Sequence, residues 1–430
     1  MKTSIIWFKT DLRLHDNETL IKAISQSDEI IPVYCFDDAD FVITEFGFKK
    51  IGNFRAQFLL QSLIDLDKNL RAIGSGLMIL KGKPEVEIPK IVHQYKATKV
   101  FSKKEVSYEE NQTETKIREE LFKLKCELKT FSTSTLYHAE DLPFSIKDIP
   151  DVFTNFRKKT EKDAFIRTSF DEPKELKSPE IEPLKLPTLE ELGLNFEPID
   201  SRAVLQFKGG ETEAISRLNH YFFKTKCISE YKETRNGLVG ADYSSKFSAW
   251  LALGCISPRF IYDELKKYES QFGANESTYW LVFELLWRDY FRFMMKKYNA
   301  KFFQQAGIQD KGIPVNKHNA NQLQEWIDGE TRVDFVDANM IELKLTGFMS
   351  NRGRQNVASY LCNDLKLDWR YGAAYFEEQL IDYDVCSNWG NWAYLAGVGN
   401  DPRGNRYFNI EKQASDYDKN KVYRNLWLKS

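Results

Sequence analysis

Short apolar runs alternate with longer stretches of helical periodicity through the first third of the chain. Runs rich in β-branched and aromatic residues at 4–8, 29–36, 77–80, 99–102 and 127–131 read as strands. The intervening stretches at 18–25, 53–72, 85–95 and 109–125 carry the spacing of amphipathic helices. Strand and helix in alternation predict an α/β domain built on a doubly wound, parallel, five-stranded sheet. Gly74-Ser75-Gly76 is too short for a dinucleotide fingerprint and follows a helix, so the usual phosphate loop is expected to be missing.

The pattern then dissolves. Five of the 13 prolines fall between Pro173 and Pro198, among charges and few apolar runs. That composition predicts an extended connection wrapping the surface. From about residue 201 the periodicity is helical at 210–223, 247–252, 258–268, 278–298, 320–329, 335–346 and 352–364. Ser257-Pro258 is a helix start, with Ser as N-cap and Pro in the first turn. The expected organisation is an α/β domain at 1–131, an interdomain linker at 132–200 and an all-α domain at 201–430.

Charge changes this picture by exclusion. The 61 Lys+Arg nearly cancel the 63 Asp+Glu, so no whole-surface basic field exists and any nucleic-acid contact must be a local patch. The 6 Cys are scattered, without Cys-x-x-Cys or paired Cys/His spacing, so neither zinc nor disulfides are expected, and no metal. Reduced thiols, a strand directly after Met1 and no membrane-length apolar run predict a cytoplasmic protein without a membrane partner. The 9 Trp and 20 Tyr, many beside polar residues, suggest stacking surfaces in addition to core.

Candidate chemistry concentrates between Thr346 and Tyr394, where arginines, aspartates, asparagines and tryptophans interrupt apolar residues. Groups this expensive to bury belong in a packed domain when they meet a ligand or one another. Arg354 against Asp382 and Asp384 is either a planar fixture beside a charged heterocycle or a structural salt bridge. Ser244, Ser245 and Ser248 precede a helix and suit either a phosphate or plain capping. Glu284, Trp287 and Arg288 share a helical face, which fits a nucleobase contact and an amphipathic helix with a surface ion pair equally well. Trp369 and Trp392 read as core on spacing alone. None of the 5 His falls in this stretch, so a histidine general acid is not expected.

Longer motifs add a resemblance. Trp7-Phe8-Lys9-Thr10-Asp11-Leu12-Arg13-Leu14-His15-Asp16-Asn17, Tyr231-Lys232-Glu233-Thr234-Arg235-Asn236 and Ser257-Pro258-Arg259 are followed by Gly347-Phe348-Met349-Ser350-Asn351-Arg352-Gly353-Arg354-Gln355-Asn356. Then come Asp382-Tyr383-Asp384-Val385 and Gly397-Val398-Gly399-Asn400-Asp401-Pro402-Arg403. In this order they resemble the photolyase/cryptochrome flavoproteins over the whole chain, and within them the cryptochrome DASH branch.

The resemblance implies an all-helical domain holding a U-shaped FAD. It assigns FAD contacts to Tyr231, Ser244, Ser245, Lys246, Phe247, Ser248, Arg288, Asn351, Arg354, Asp382, Asp384 and Asn388. Asn388 would face flavin N5 and help set which flavin radical is stable. Trp392 and Trp369 would be the inner members of an electron-transfer chain. Glu284, Trp287, Asn351, Arg352, Gln355 and Tyr394 would form the pocket for a flipped cyclobutane pyrimidine dimer, and Arg235 and Gln413 would touch DNA. Glu140 is the antenna candidate, for methenyltetrahydrofolate.

Two departures matter. Tyr394 and Gln355 stand where duplex-repairing relatives carry tryptophan and methionine, which makes the pocket more polar and fits a preference for single strands. Asn316, placed by alignment on Trp326, stands at the outer tryptophan position. The implied activity is blue-light repair of cyclobutane dimers by electron transfer from reduced FAD, by a monomer. The alternative is a blue-light photoreceptor without repair, against which the lack of a tail after Ser430 counts.

Overall fold

The computed structural model describes residues 2–309, 318–401 and 406–429. Strands β1 (Thr3–Phe8), β2 (Glu29–Phe36), β3 (Met78–Lys81), β4 (Lys99–Lys103) and β5 (Glu127–Phe131) form one parallel sheet in the order β3-β2-β1-β4-β5. Helices α1 (Glu18–Gln26), α2 (Asn53–Ala72), α3 (Pro84–Tyr95) and α4 (Tyr108–Lys123) supply the crossovers. The period of two in β1 explains its double burial. Ile5 and Trp7 belong to a small cluster with Val33, Ile88 and Ile117, whereas Ile6 and Phe8 face the main core with Phe36 and Phe101. The sheet expected from the pattern is present.

The proline-rich connection is not extended throughout. It contains α5 (Phe153–Asp163), whose buried face is Phe153, Phe156 and Thr160. That three-residue stripe holds the helix against the helical region and corrects the reading of 132–200 as a purely extended connection.

Helical structure follows as α6 (Glu211–Asn219), α7 (Tyr231–Thr234), α8 (Ser248–Ala252), α9 (Pro258–Phe272) and α10 (Glu276–Tyr298). Beyond these lie α11 (Ala320–Asp328), α12 (Asp334–Thr346), α13 (Asn351–Ser359), α14 (Trp369–Gln379), α15 (Val385–Leu395), α16 (Ile410–Tyr417) and α17 (Val422–Leu428). Ser257 caps α9 as its sequence foretold, and Ser350 Oγ accepts from the Gly353 amide at 2.9 Å to start α13. The helices expected at 210–223 and 352–364 each end in a π turn, His220–Lys224 and Tyr360–Asp364, a local widening that periodicity does not signal.

A buried polar seam ties the sheet to the helices. Asp16 pairs with Arg259, Glu211 accepts the Leu14 amide at 2.9 Å, and Arg13 donates to the Gly254 carbonyl at 2.9 Å. The Gly254 backbone, at φ 66°, runs against Thr10 so closely that a Cβ would sit 2.1 Å from its carbonyl oxygen. Among the described residues no helix is long and apolar enough to cross a membrane, and no cluster of His, Cys, Asp and Glu could hold a metal.

Candidate flavin and lesion site

The end of α12 turns through Gly347, α13 starts at Asn351, and α14 and α15 close the other side. Together they enclose a cleft of about 100 Å³ lined by Asn351, Arg354, Gln355, Asp382, Asp384, Asn388 and Trp392, with apolar Ala358, Phe376 and Leu395 between them. Seven site residues expected from the sequence therefore meet in one wall.

Arg354 Nη2 reaches both oxygens of Asp382, at 3.0 and 2.8 Å, while its Nε donates to the Met349 carbonyl at 2.9 Å. Asp384 does not share this arginine. Its Oδ1 caps α15 by accepting the Ser387 amide at 2.8 Å, and its Oδ2 lies 3.7 Å from Arg288. Burial pushes the Asp384 carboxyl up, but Arg288 and Arg292 outweigh it and hold the group below its ordinary value. Asn388 donates its Nδ2 to the Ala373 carbonyl at 2.9 Å, which leaves Oδ1 without a protein partner among the described residues. Trp392 closes the cleft, seated over Gly372, where any Cβ would sit 2.3 Å from the indole.

The loop before α8 is rigid and cationic. Arg217 gathers it by donating to the carbonyls of Ala241, Ser244 and Ser245 at 3.0, 3.1 and 3.0 Å. Lys246, with φ 62°, is buried; its Nζ donates to Ser244 Oγ at 3.1 Å and no carboxylate pairs with it among the described residues. Burial therefore pushes Lys246 well below its ordinary value. Ser245 and Phe247 are buried beside it and Ser248 is exposed at the start of α8, while Tyr231 is buried on α7.

The residues expected to receive a lesion form a second group. Glu284 pairs with Arg235 at 2.8 Å, 49 positions away, and burial raises its carboxyl against that charge. Trp287 is stacked on Phe153 at 3.6 Å and 13°, and meets Tyr394 edge-on at 6.0 Å. Arg352 donates to Gln355, Gln413 and Asn236 at 3.0, 3.3 and 3.0 Å, so Gln413 reaches the site from α16. Arg406 lies 5.0 Å over the Tyr394 ring.

Other expectations fall elsewhere. The helical neighbours Glu284 and Arg288 do not pair; Arg288 donates to Ser134 and Leu251 carbonyls instead. Trp369 donates to the Gln305 carbonyl at 3.1 Å and meets Trp389 at 5.8 Å, whereas its ring does not touch Trp392 among the described residues. Glu140 is 77% exposed, paired with Arg167 at 3.3 Å and outside the cleft. Asn316 lies outside the described residues. Sequence reasoning gave no role to Phe153, Tyr383 and Trp389; Tyr383 and Trp389 carried a signal, as aromatics inside the richest polar stretch, and Phe153 carried none.

A family of light-absorbing flavoproteins accounts for a parallel α/β sheet joined to a helical cleft of this composition. The DNA photolyase model matches residues 4–179, and the FAD binding domain of DNA photolyase matches residues 280–430. A cryptochrome DASH from Gloeobacter violaceus is 49% identical over 99% of this chain and 85% of its own length. The chain belongs to the photolyase/cryptochrome family, in its cryptochrome DASH group. The crystal structure of a Synechocystis cryptochrome superposes with a TM-score of 0.96 at 50% identity, over 100% of this chain and 89% of that one. An archaeal photolyase from Sulfolobus tokodaii, solved with two FAD molecules, superposes with a TM-score of 0.79 at 26% identity, over 99% and 90%.

Proposed function

We propose that this protein uses FAD and blue light to split cyclobutane pyrimidine dimers, preferentially in single-stranded DNA. The carrying observation is the arrangement of α15. Asn388 and Trp392 on this helix line the cleft, and Tyr394, two residues on, meets Trp287 edge-on at 6.0 Å. A cofactor in the cleft and a lesion at the Trp287–Tyr394 corner would thus share one rigid helix.

The residues fit an FAD. Lys246 is a buried amine with no ion-pair partner among the described residues, and a pyrophosphate beside it would favour its charged form and accept from the hydroxyls of Ser244, Ser245 and Ser248. Arg354 and Asp382 would offer a planar, charge-assisted pair to the flavin, Asn388 a carbonyl oxygen without a partner among the described residues, and Arg288 with Asp384 would close the floor. Tyr231, Phe247 and Asn351 would complete the contacts. Bound FAD supplies the light absorption and the electron. The photolyase solved with two FAD molecules supports this cofactor.

For the substrate, Trp287 and Tyr394 offer stacking faces, each good for roughly 1–3 kcal/mol per base. A dimer is poorly stacked in DNA, so extruding it costs less than the few kcal/mol of a normal base. Glu284 would take the pyrimidine edges, while Arg235, Arg352, Gln355 and Gln413 position the strand. The polar Gln355 and Tyr394 grip weakly, which suits a lesion already free of its partner strand. The antenna is proposed as methenyltetrahydrofolate near Glu140, and the active form as a cytoplasmic monomer.

One observation favours a second reading, a blue-light photoreceptor without repair: Glu284 is already occupied by Arg235 at 2.8 Å. Blue-light repair of a thymine dimer in single-stranded and duplex oligonucleotides decides between them. Faster repair in the single strand is expected. Equal rates would remove the strand preference, and no repair of either would leave the photoreceptor.

A further inference from the structure

Trp389 is held by chemistry that the cleft itself does not use. It sits on α15, 4% exposed, with its ring edge-on to Trp369 at 5.8 Å and against Phe303 at 4.9 Å. Its Nε1–H is shared by two acceptors, Glu377 Oε2 and Tyr383 Oη, each at 3.2 Å. Neighbouring buried indoles make do with neutral carbonyls, Trp369 with Gln305 and Trp326 with Val357. A carboxylate in this position is far more expensive to bury than a carbonyl. Tyr383, between Asp382 and Asp384, lines the cleft, so one hydrogen-bonded unit leads from the cleft wall to a ring touching Trp369.

We propose that Trp389 and Glu377 form a proton-coupled electron-transfer site, in which Trp389 refills an oxidised Trp369 and passes its indole proton to Glu377. The proposal rests on the flavin reading above, because a bound flavin would supply the light-generated oxidant for Trp369. The step balances. The Trp369 radical cation gains one electron and becomes neutral tryptophan. Trp389 loses one electron and its Nε1 proton and becomes a neutral indolyl radical. The Glu377 carboxylate gains that proton and becomes a carboxylic acid. Moving the proton removes two buried charges together, which disfavours return of the electron.

The charged and titratable groups facing Glu377 are Arg55 on α2, Lys50 before it, Tyr383 and Trp389. Burial pushes the Glu377 carboxyl up to about 7 against these partners, so it is a base only above that region. Burial also holds Tyr383 well above its ordinary value, so its hydroxyl keeps its proton and leaves Glu377 as the acceptor.

Transient visible and infrared absorption of the flavin-loaded protein tests the step in wild type, Trp389→Phe and Glu377→Gln. Wild type is expected to show the neutral tryptophan radical and a new protonated-carboxyl stretch, slowed in D₂O and growing as pH rises through the neutral range. Trp389→Phe should lose both signals. Glu377→Gln keeps the hydrogen-bond acceptor and the volume, so a merely structural role would leave the neutral radical intact; the proposal expects its loss, with a tryptophan cation radical in its place. A neutral radical with an unchanged isotope effect in Glu377→Gln overturns the proposal. A colourless protein would fail the flavin reading alone, and oxidation by photogenerated ruthenium(III) polypyridine then reads the same two signatures.

Discussion

Glu284 is held by Arg235 at 2.8 Å, and the arginine four residues along its own helix is turned away toward the Ser134 and Leu251 carbonyls. The pair links the residue after α7 to α10, so the electrostatics of the proposed lesion pocket depend on a tertiary contact. Burial raises the Glu284 carboxyl and Arg235 opposes that rise. Arg235→Ala should therefore push the Glu284 midpoint further up. The pH profile of binding to a dimer-containing single strand, followed by fluorescence anisotropy, is expected to move to higher pH in this variant. A profile that stays in place would detach Glu284 from lesion recognition.

Asp382 tests the flavin side. Its carboxylate accepts two charge-assisted bonds from Arg354, and Asp382→Asn keeps the shape while removing the charge. A loss of about 1.5–3 kcal/mol follows from one such bond, or roughly 10- to 150-fold weaker flavin retention. The flavin-to-protein absorbance ratio after exhaustive dialysis measures it. Asp384→Ala should instead lower the melting point, since Asp384 caps α15 and Ala offers no acceptor to the Ser387 amide.

What the sequence made legible follows the range of the interactions. Strands 29–36 and 127–131 and helix 53–72 match their observed limits, because alternation and helical spacing are local signals. The cleft wall was legible through its long motifs. Helix α5 escaped because only Phe153, Phe156 and Thr160 mark its buried face amid lysines. The partner of Glu284 escaped for a different reason. A helix offers Arg288 by spacing, and only the folded chain brings Arg235 closer from 49 positions away. The acceptor of Trp389 escaped as well, because only the fold brings the Glu377 carboxylate of α14 onto its N–H.

Phe153 predicts an indirect effect on the lesion pocket. It covers one face of Trp287 at 3.6 Å, which fixes the indole for stacking on its remaining surface. Trp287→Ala should weaken dimer binding by roughly 1–3 kcal/mol. Phe153→Ala should produce a smaller loss, about 0.5–1.5 kcal/mol, through the freed ring. Both affinities come from titrating a dimer-containing single strand. No loss for Phe153→Ala would show that Trp287 is fixed by Tyr290, Phe291 and Tyr394 without it, and a loss equal to that of Trp287→Ala would show that the indole depends on Phe153 entirely.

Glu342 sets a stability prediction with a defined sign. It is buried on α12, with Tyr423 donating to Oε2 at 2.6 Å and Oε1 unpartnered among the described residues. Burial pushes its carboxyl from the ordinary 4.5 up to about 7, against the Tyr423 bond and the charges of Lys246 and Arg354. Between those values the folded protein keeps a proton that the unfolded chain has released. Stability contributed by this group is therefore greatest below the unfolded value and falls as pH rises toward about 7, where it levels off. Glu342→Gln, which cannot ionise, should gain about 1–3 kcal/mol over wild type above neutrality. Near about pH 4, where both carry a neutral side chain, the two should agree. Denaturant melts across that range decide it, and a constant difference between the proteins would mean that Glu342 stays ionised in the fold.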